Sequence, residues 1–249
     1  MFSSFRLAVS FLTIVPVYKK MADNQELARS VSYYPLIGLL LGSTAAGVCY
    51  LLRTLGLTLA ADVISLVTMI ILTGGLHLDG LMDTADGLLS GRDRGKKLEI
   101  MKDSRVGAMG VIAFVAIMLL KTAFLFELDL GLKLTALILV PAAGRWAMVF
   151  SITRYPYARA AGGLGAGLKE AGFPQLVMAS ATLVAAGVWL AGWQGLVILG
   201  AVVPFTMVFT GVIVKSLGGM TGDTYGATGE MVETWTLLII LLGQQTGLL

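Results

Sequence analysis

The sequence predicts an all-α, polytopic bundle of membrane helices, formed by a single domain over residues 1–249. Hydrophobic residues make up 57% of the chain and charged residues only 13%, a composition outside the usual range of soluble globular domains. The apolar residues occur in long runs, and about 20 apolar residues are enough for a helix to cross the hydrocarbon core of a bilayer. The lipid bilayer is therefore the expected environment of this chain.

Apolar runs in the sequence account for the predicted membrane spans. They cover residues 31–52, 54–78, 106–126, 134–153, 171–214 and 234–249. The run at 171–214 is too long for one crossing, and a turn at 191–195, which reads Ala-Gly-Trp-Gln-Gly, brings the prediction to about seven spans. The N-terminal stretch, residues 1–20, is shorter and is expected to lie at the membrane interface or to re-enter the bilayer.

The distribution of Lys and Arg predicts the orientation of these spans, because short cytoplasmic loops carry an excess of both residues. With the N-terminus in the cytoplasm, nearly all cations outside the spans fall on the cytoplasmic side, and only Arg53 and Lys133 fall on the other. Most acidic residues also lie in cytoplasmic loops, so the active site is expected to face the cytoplasm. The basic charge balance follows from this topology, and no nucleic-acid partner is expected.

Aspartates that follow the second apolar run form the first candidate site. Asp79, Asp83 and Asp86 lie within an arc of roughly 60° on one helix face, since successive residues turn by about 100°. Carboxylates at this spacing repel one another, and a divalent cation among them removes the repulsion. Their oxygens suit Mg²⁺, with Mn²⁺ as the alternative ion. A solvated helix end in the headgroup region is the competing interpretation.

A second acidic pair, Glu99 and Asp103, follows in a segment rich in cations. Carboxylates that hold a hard metal ion, next to Lys and Arg that bind phosphate oxygens, are typical of phosphoryl transfer, in which positioning and charge neutralisation supply most of the catalysis. A diphosphate substrate is therefore expected, although membrane topology alone also explains the cations. The cations of this segment are Arg92, Lys96, Lys97, Lys102 and Arg105.

Three segments of the chain resemble the cobalamin synthase family, the adenosylcobinamide-GDP ribazoletransferases. They are "YYPLIGLLLG" at 33–42, the aspartate-rich stretch at 73–110 that begins "TGGLHLDGLMDTADG", and "GGMTGDTYGATGE" at 218–230. The resemblance implies a Mg²⁺-dependent, multi-pass enzyme of the bacterial inner membrane that carries out the last step of coenzyme B12 assembly. In that reaction α-ribazole or its 5′-phosphate attacks the cobinamide-side phosphate of adenosylcobinamide-GDP, and GMP leaves. Assembly as a homo-oligomer is left open.

A weaker resemblance is to the CDP-alcohol phosphotransferases, whose signature reads D-x-x-D-G-x-x-A-R, eight further residues, and G-x-x-x-D-x-x-x-D. Asp83, Asp86 and Gly87 match its opening, and Arg92 falls one residue late. The spacer is shorter than in the signature. The last part of the signature, G-x-x-x-D-x-x-x-D, is resembled by Gly95, Glu99 and Asp103, with Glu99 in place of the first Asp.

These resemblances imply roles for individual residues. The expected metal ligands are Asp79, Asp83, Asp86 and Asp103. Asp103 is also a candidate base for the proton of the attacking hydroxyl, and His77, the only histidine of the chain, is the second candidate because histidine titrates near neutral pH. The expected phosphate-binding cations are Arg92, Lys102 and Arg105.

Further candidates lie elsewhere in the chain. Asp223 follows a Gly-Gly pattern like the one before Asp79, where the glycines allow the backbone to approach a ligand closely, and Asp223 and Glu230 are expected to bind substrate. Arg145 lies within a predicted span, where ionisable residues are costly and often functional, and it is also expected to face the substrate. Lys121 is expected to anchor the outer end of its span.

Two alternative functions stay open at this point. One is a lipid enzyme of the CDP-alcohol phosphotransferase type. The other is a cation-coupled transporter, which would place its carboxylates nearer the middle of the bilayer than these loops suggest. The only cysteine, Cys49, excludes an intrachain disulfide and a zinc site built from cysteines.

Overall fold

The computed structural model describes residues 2–159 and 164–249, with the backbone alone for residues 164–166. No β-strand occurs in these described residues, so the predicted all-α class is confirmed. Short 3-10 helices, Val31–Tyr33 and Leu164–Glu170, precede α3 and α9. The α-helices are α1 (Phe2–Leu12), α2 (Asn24–Ser30), α3 (Tyr34–Thr54), α4 (Leu59–Thr73), α5 (Leu76–Leu89), α6 (Arg94–Ile100), α7 (Ala108–Glu127), α8 (Leu130–Arg154), α9 (Phe173–Leu217) and α10 (Gly222–Gln245).

Several of these helices are suited to a bilayer. Within the described residues, four helical stretches are long and apolar enough to cross a membrane: Asn24–Thr54, which ends with α3, and the helices α7, α8 and α9. Helices α4 and α5 together form a fifth candidate, although they are bent by 89°. The predicted membrane bundle is confirmed, but length and composition support four or five spans rather than seven. The apolar run at 234–249 falls in α10, whose first half carries acidic residues.

The chain reverses direction inside α9, where the sequence predicts a turn. Gly192 is the non-helical residue, with φ 57° and ψ −139°. In a continuous helix residues 187 and 195 would lie about 12 Å apart along the axis. Here a Cβ on Gly195 would overlap the backbone of Gly187, and a Cβ on Gly187 would lie 3.0 Å from the side chain of Leu199. Helix α9 therefore consists of two antiparallel arms, which brings the number of spans closer to the prediction.

Two consecutive glycines separate α4 from α5. Gly74 and Gly75 have φ values of 61° and 71°, in the left-handed region that residues with a side chain rarely adopt. Their N–H groups donate to the carbonyl oxygens of Ile71 and Ile70, at 3.1 and 2.9 Å, which closes the end of α4. Helix α5 consequently leaves at nearly a right angle and carries its aspartates across the bundle.

Helix α8 is buried along most of its length and forms the centre of the bundle with α10. Helix α3 packs closely against it through glycines, as is common where membrane helices meet. A Cβ on Gly38 would lie 2.6 Å from Cα of Ala142, and a Cβ on Gly42 would overlap the carbonyl oxygen of Leu137. The two backbones are therefore in direct contact, and neither can yield by rotating a side chain.

A group of charged side chains is buried at the opposite end of α4 from Gly74. Lys133 Nζ of α8 donates to Asp62 Oδ2 of α4 at 2.8 Å, and both side chains are fully buried. Arg53 of α3 approaches the same carboxylate at 3.4 Å. Because the cations come from different helices, this group connects α3, α4 and α8.

The close packing of α3 on α8 predicts the effect of adding one methyl group. Gly38→Ala is expected to lower the thermal midpoint of the solubilised protein, because overpacking a tight interface costs about 1–3 kcal/mol. The reaction of a thiol dye with buried Cys49, the only cysteine, reports unfolding. Gly47→Ala, on the same helix, is the control, since a Cβ there meets nothing within 4 Å. The midpoint of Gly47→Ala should equal or exceed that of wild type because alanine favours helix. A drop in midpoint that is the same for Gly38→Ala and Gly47→Ala would contradict the packing.

Candidate functional site

The candidate site lies where α5 crosses the beginning of α10. A Cβ on Gly80 of α5 would lie 2.6 Å from the carbonyl oxygen of Asp223, and a Cβ on Gly226 of α10 would lie 3.0 Å from Cα of His77. No side chain fits between the helices at either point. The two backbones therefore touch, and the aspartates of α5 come next to Asp223, which is remote in sequence.

Carboxylates from both helices act on one another at this crossing. Asp83 is half-buried, and the negative charges of Asp79, Asp86 and Asp223 all act on it. Asp79 lies four residues before Asp83 and is exposed, whereas Asp223 is half-buried. The predicted proximity of Asp79 and Asp83 thus stands, and the structure adds Asp223 from α10. Such a concentration of negative charge favours a bound cation.

Asp86 has a different partner from the metal ion that the sequence suggests. Its two carboxylate oxygens accept hydrogen bonds from the backbone N–H groups of Gly107 and Gly110, each at 2.8 Å. These N–H groups belong to the first turn of α7, where no intrahelical partner is available. Asp86 therefore caps α7 and joins it to α5.

Arg159 is the cation that meets the carboxylates. It donates to Asp223 Oδ2 at 2.7 Å. The backbone before it is held by two hydrogen bonds, from Ala158 N to the Met220 carbonyl and from Met220 N to the Pro156 carbonyl, both 2.8 Å long. The sequence shows Arg159 only as one more cytoplasmic cation, since the pairing depends on a contact between distant segments.

The other predicted loop residues lie in the segments on either side of α6. Arg92, Lys102 and Arg105 are all exposed. Arg105 donates to Asp103 at 2.6 Å, and this guanidinium lowers the pKa of Asp103 to about 2. Both carboxylate oxygens of Asp103 accept hydrogen bonds from Arg105, so its predicted roles as metal ligand and as proton acceptor would require this ion pair to open.

Arg145 and Glu230, both predicted to bind substrate, belong to a buried ionic cluster inside the bundle. Lys121 Nζ of α7 donates to Glu230 and Glu233 of α10 at 2.5 and 2.6 Å. Arg145 of α8 forms an ion pair with Glu233. The prediction that Lys121 anchors the outer end of its span is therefore wrong, because its side chain points inward to these acids.

A cavity of about 250 Å³ opens beside the aspartates. Its described lining includes Asp79, Asp223 and Arg159 at one side and His77 along one wall. His77 is 3% exposed, and its Nε2 has no hydrogen-bond partner among the described residues. Of the two candidate bases, His77 thus lies in the cavity, whereas Asp103 is not among its lining residues.

The fit of Mg²⁺ to this site can be judged from its donor atoms. In the described part of the chain, no three His, Cys, Asp or Glu side chains converge into a ready-made metal site. Mg²⁺, however, is commonly held by one or two carboxylates together with waters and substrate phosphates, and does not need a cage made only of protein. Asp79, Asp83 and Asp223 supply hard oxygen donors of this kind, so their chemistry suits the ion.

The buried cluster predicts a large effect when its shared cation is removed. Lys121→Met leaves Glu230 and Glu233 with Arg145 alone, and breaking a buried ion pair costs roughly 3–5 kcal/mol. Adding Glu230→Gln should recover part of this loss, because it removes one uncompensated charge. Thiol-dye labelling of Cys49 during heating measures the thermal stability of both variants. Lys19→Met, at an exposed position, is the control. Stability of Lys121→Met equal to that of the control would contradict the cluster.

Comparison with known proteins identifies the family. The model of the cobalamin-5-phosphate synthase family matches residues 4–241. A protein of Desulforamulus reducens named adenosylcobinamide-GDP ribazoletransferase is 68% identical over 249 residues, all of both chains. Proteins of the same name from Roseiflexus sp. and Brevibacillus brevis are 40% and 37% identical, over 97% and 96% of this chain and 90% and 98% of their own. No solved structure matches the chain. The chain therefore belongs to the cobalamin-5-phosphate synthase family.

Proposed function

We propose that the protein is the adenosylcobinamide-GDP ribazoletransferase that completes cobalamin synthesis, with its reaction centre where α5 crosses α10. The observation that carries the assignment is the 68% identity to a relative of that name over the full length of both chains. The site supports it, because carboxylates from two helices and a paired arginine surround one cavity. This is the arrangement expected for transfer between phosphate esters.

The reaction breaks the phosphoanhydride bond of the donor and forms a phosphate ester bond to the acceptor. A ribose hydroxyl of α-ribazole, or of its 5′-phosphate, attacks the phosphorus next to cobinamide in adenosylcobinamide-GDP. The bond from this phosphorus to the bridging oxygen of the diphosphate breaks, and GMP leaves with that oxygen. The hydroxyl proton passes to a base. The product is adenosylcobalamin or its 5′-phosphate.

Asp79, Asp83 and Asp223 are the proposed ligands of Mg²⁺, with Mn²⁺ as the alternative ion. A bound Mg²⁺ would neutralise the diphosphate oxygens and hold them in place for transfer. Arg159 positions Asp223 through its 2.7 Å hydrogen bond and compensates part of the negative charge. Asp86 does not bind the ion in this proposal, because both of its oxygens already cap α7.

The remaining predicted residues have separate roles. His77 is the proposed proton acceptor, because its Nε2 is unpartnered and it lines the cavity. Arg92, Lys102 and Arg105 are exposed in the segments that flank α6 and are proposed to attract the negatively charged donor substrate. Arg145 and Glu230 act indirectly, since their ionic cluster holds α8 and α10 in register behind His77.

The proposed location is the bacterial inner membrane, with the N-terminus and the reaction centre on the cytoplasmic side. The positive-inside rule supports this orientation, because a group of exposed cations lies in and beside α6: Arg92, Arg94, Lys96, Lys102 and Arg105. The buried group around Asp62 would then lie at the outer end, separated from Gly74 by the length of α4, about 20 Å.

The metal proposal predicts the behaviour of single Asp→Asn variants in proteoliposomes. GMP release from adenosylcobinamide-GDP should require α-ribazole and Mg²⁺, should stop with EDTA, and should not occur with a CDP-linked lipid as donor. Asp79→Asn, Asp83→Asn and Asp223→Asn should each reduce kcat by roughly 10²-fold or more, the scale on which electrostatic stabilisers act. Asp103→Asn is the control and should lose much less. Near-normal rates for both Asp83→Asn and Asp223→Asn would reject these ligands.

The helix crossing predicts a second effect on the same assay. Gly80→Ala places a methyl group against the backbone of Asp223 and should separate α5 from α10. Because small displacements of positioned groups cost up to about 10²-fold in rate, kcat should fall by at least 10-fold. Gly95→Ala on α6 is the matched control, since its Cβ would meet only Asp93 Oδ1 at 3.4 Å. A normal rate for Gly80→Ala would show that the crossing is not needed for transfer.

A further inference from the structure

The cavity beside the aspartates has a deep wall that the proposed reaction does not use. This wall is formed by the rings of Phe11, Tyr34 and Tyr225 and by the side chains of Met148 and Ile152. All but Phe11 are buried. The rings of Phe11 and Tyr34 are nearly parallel, with an interplanar angle of 17° and centroids 6.1 Å apart. The wall therefore offers an apolar, aromatic surface to a ligand.

The same wall contains a buried polar atom without a partner. Tyr34 is 0% exposed, and no hydrogen-bond partner lies within 3.5 Å of its hydroxyl among the described residues, although the Ser30 side chain is near it. A buried hydroxyl left in this state costs stability, whereas a ligand acceptor placed opposite it would remove that cost. Together with the unpartnered Nε2 of His77, it gives the apolar cavity two polar points that a ligand could satisfy.

We propose that this cavity binds the base of the acceptor nucleoside and so determines which acceptor is used. The proposal rests on the proposed transferase function. Ribazole carries a dimethylated benzimidazole, a flat base whose methyl groups and ring faces are apolar and whose ring has one nitrogen free to accept a hydrogen bond. Stacking on aromatic rings and one donated hydrogen bond are what the wall supplies. The nitrogen would accept from the Tyr34 hydroxyl.

The guanine of the donor substrate fits this wall less well. Guanine presents several donors and acceptors along its edge, and each one left unpaired in an apolar cavity costs binding free energy. The size of the cavity also points to part of a substrate, because its 250 Å³ lies near the lower limit of about 300 Å³ for small-molecule sites. A base fills such a space, whereas a corrin does not.

The aromatic wall and the charged residues of the cavity together set how the acceptor nucleoside would lie in it. Phe11 and Tyr34 come from α1 and α3, whereas Tyr225 comes from α10, two residues after Asp223. A nucleoside with its base on the aromatic wall can therefore place its ribose beside Asp223. This places the attacking hydroxyl beside the proposed phosphate-binding groups and explains why the N-terminal helix belongs to the site.

Separate Michaelis constants for the two substrates test the proposal. Tyr34→Phe removes only the hydroxyl and should raise the KM for α-ribazole about 3- to 10-fold, the effect of one hydrogen bond. Phe11→Leu should raise it roughly 10-fold through lost stacking. In both variants the KM for adenosylcobinamide-GDP should change less than about 2-fold, because these rings contact only the acceptor in this arrangement. Tyr50→Phe is the matched control on the same helix α3, since Tyr50 is 56% exposed and lies outside the cavity.

The outcomes separate this proposal from the function on which it rests. A rise in the KM for adenosylcobinamide-GDP with an unchanged KM for α-ribazole would assign the wall to the donor and overturn the proposal, while the transferase function would stand. Unchanged values for both substrates would overturn it as well. Absence of GMP release by the wild-type protein would overturn the proposed transferase function. Labelling of Cys49 during heating checks that each variant is folded, and Tyr34→Phe should be at least as stable as wild type because it loses an unpaired buried hydroxyl.

Discussion

At the crossing of α5 and α10, Gly80 and Gly226 leave no space for a side chain, and the two helix backbones are in contact. Everything proposed for the site depends on this contact. Helix α5 alone offers carboxylates on a single face, which cannot surround an ion from two sides. Contact with α10 adds Asp223, and Asp223 in turn holds Arg159. The left-handed glycines before α5 have a related effect, because they turn the helix by 89° and bring it across the bundle.

Buried charges give this bundle its register. Ionisable side chains are costly in a membrane protein unless they are paired, and here Lys121 and Arg145 are matched by two glutamates of α10. Lys133 and Asp62 form a comparable pair at the end of α4 that lies opposite Gly74. A one-residue slip of α8 or α10 would leave buried charges without partners, so both groups favour a single packing arrangement. The cluster around Lys121 lies behind His77 and thus supports the wall of the cavity.

Individual residues show how far the sequence could predict the site. Asp79 and Asp83 were predictable as neighbours because helical spacing is a local property. Asp86 has the same spacing, yet it caps α7, which no local pattern indicates. Arg145 was predicted to face the substrate because it is an ionisable residue within a span. Its charge is balanced in the structure by an ion pair with Glu233. Arg159 gave no comparable signal, and Tyr34 lies in a segment of family resemblance that does not indicate its contacts, since the importance of both comes from the segments packed against them.

The sequence by itself determined that this protein is a helical membrane bundle, that its chain reverses near Gly192, and that acids and cations concentrate in a few polar segments. Hydropathy, glycine positions and charge are properties of neighbouring residues and can be read along the chain. Only the tertiary structure decided that Asp223 acts on Asp83, and that an aromatic wall from α1, α3 and α10 lies beside Asp79 and Asp223. Those relations depend on contacts between helices remote in sequence, and each residue's role is set by whichever partner that packing brings to it.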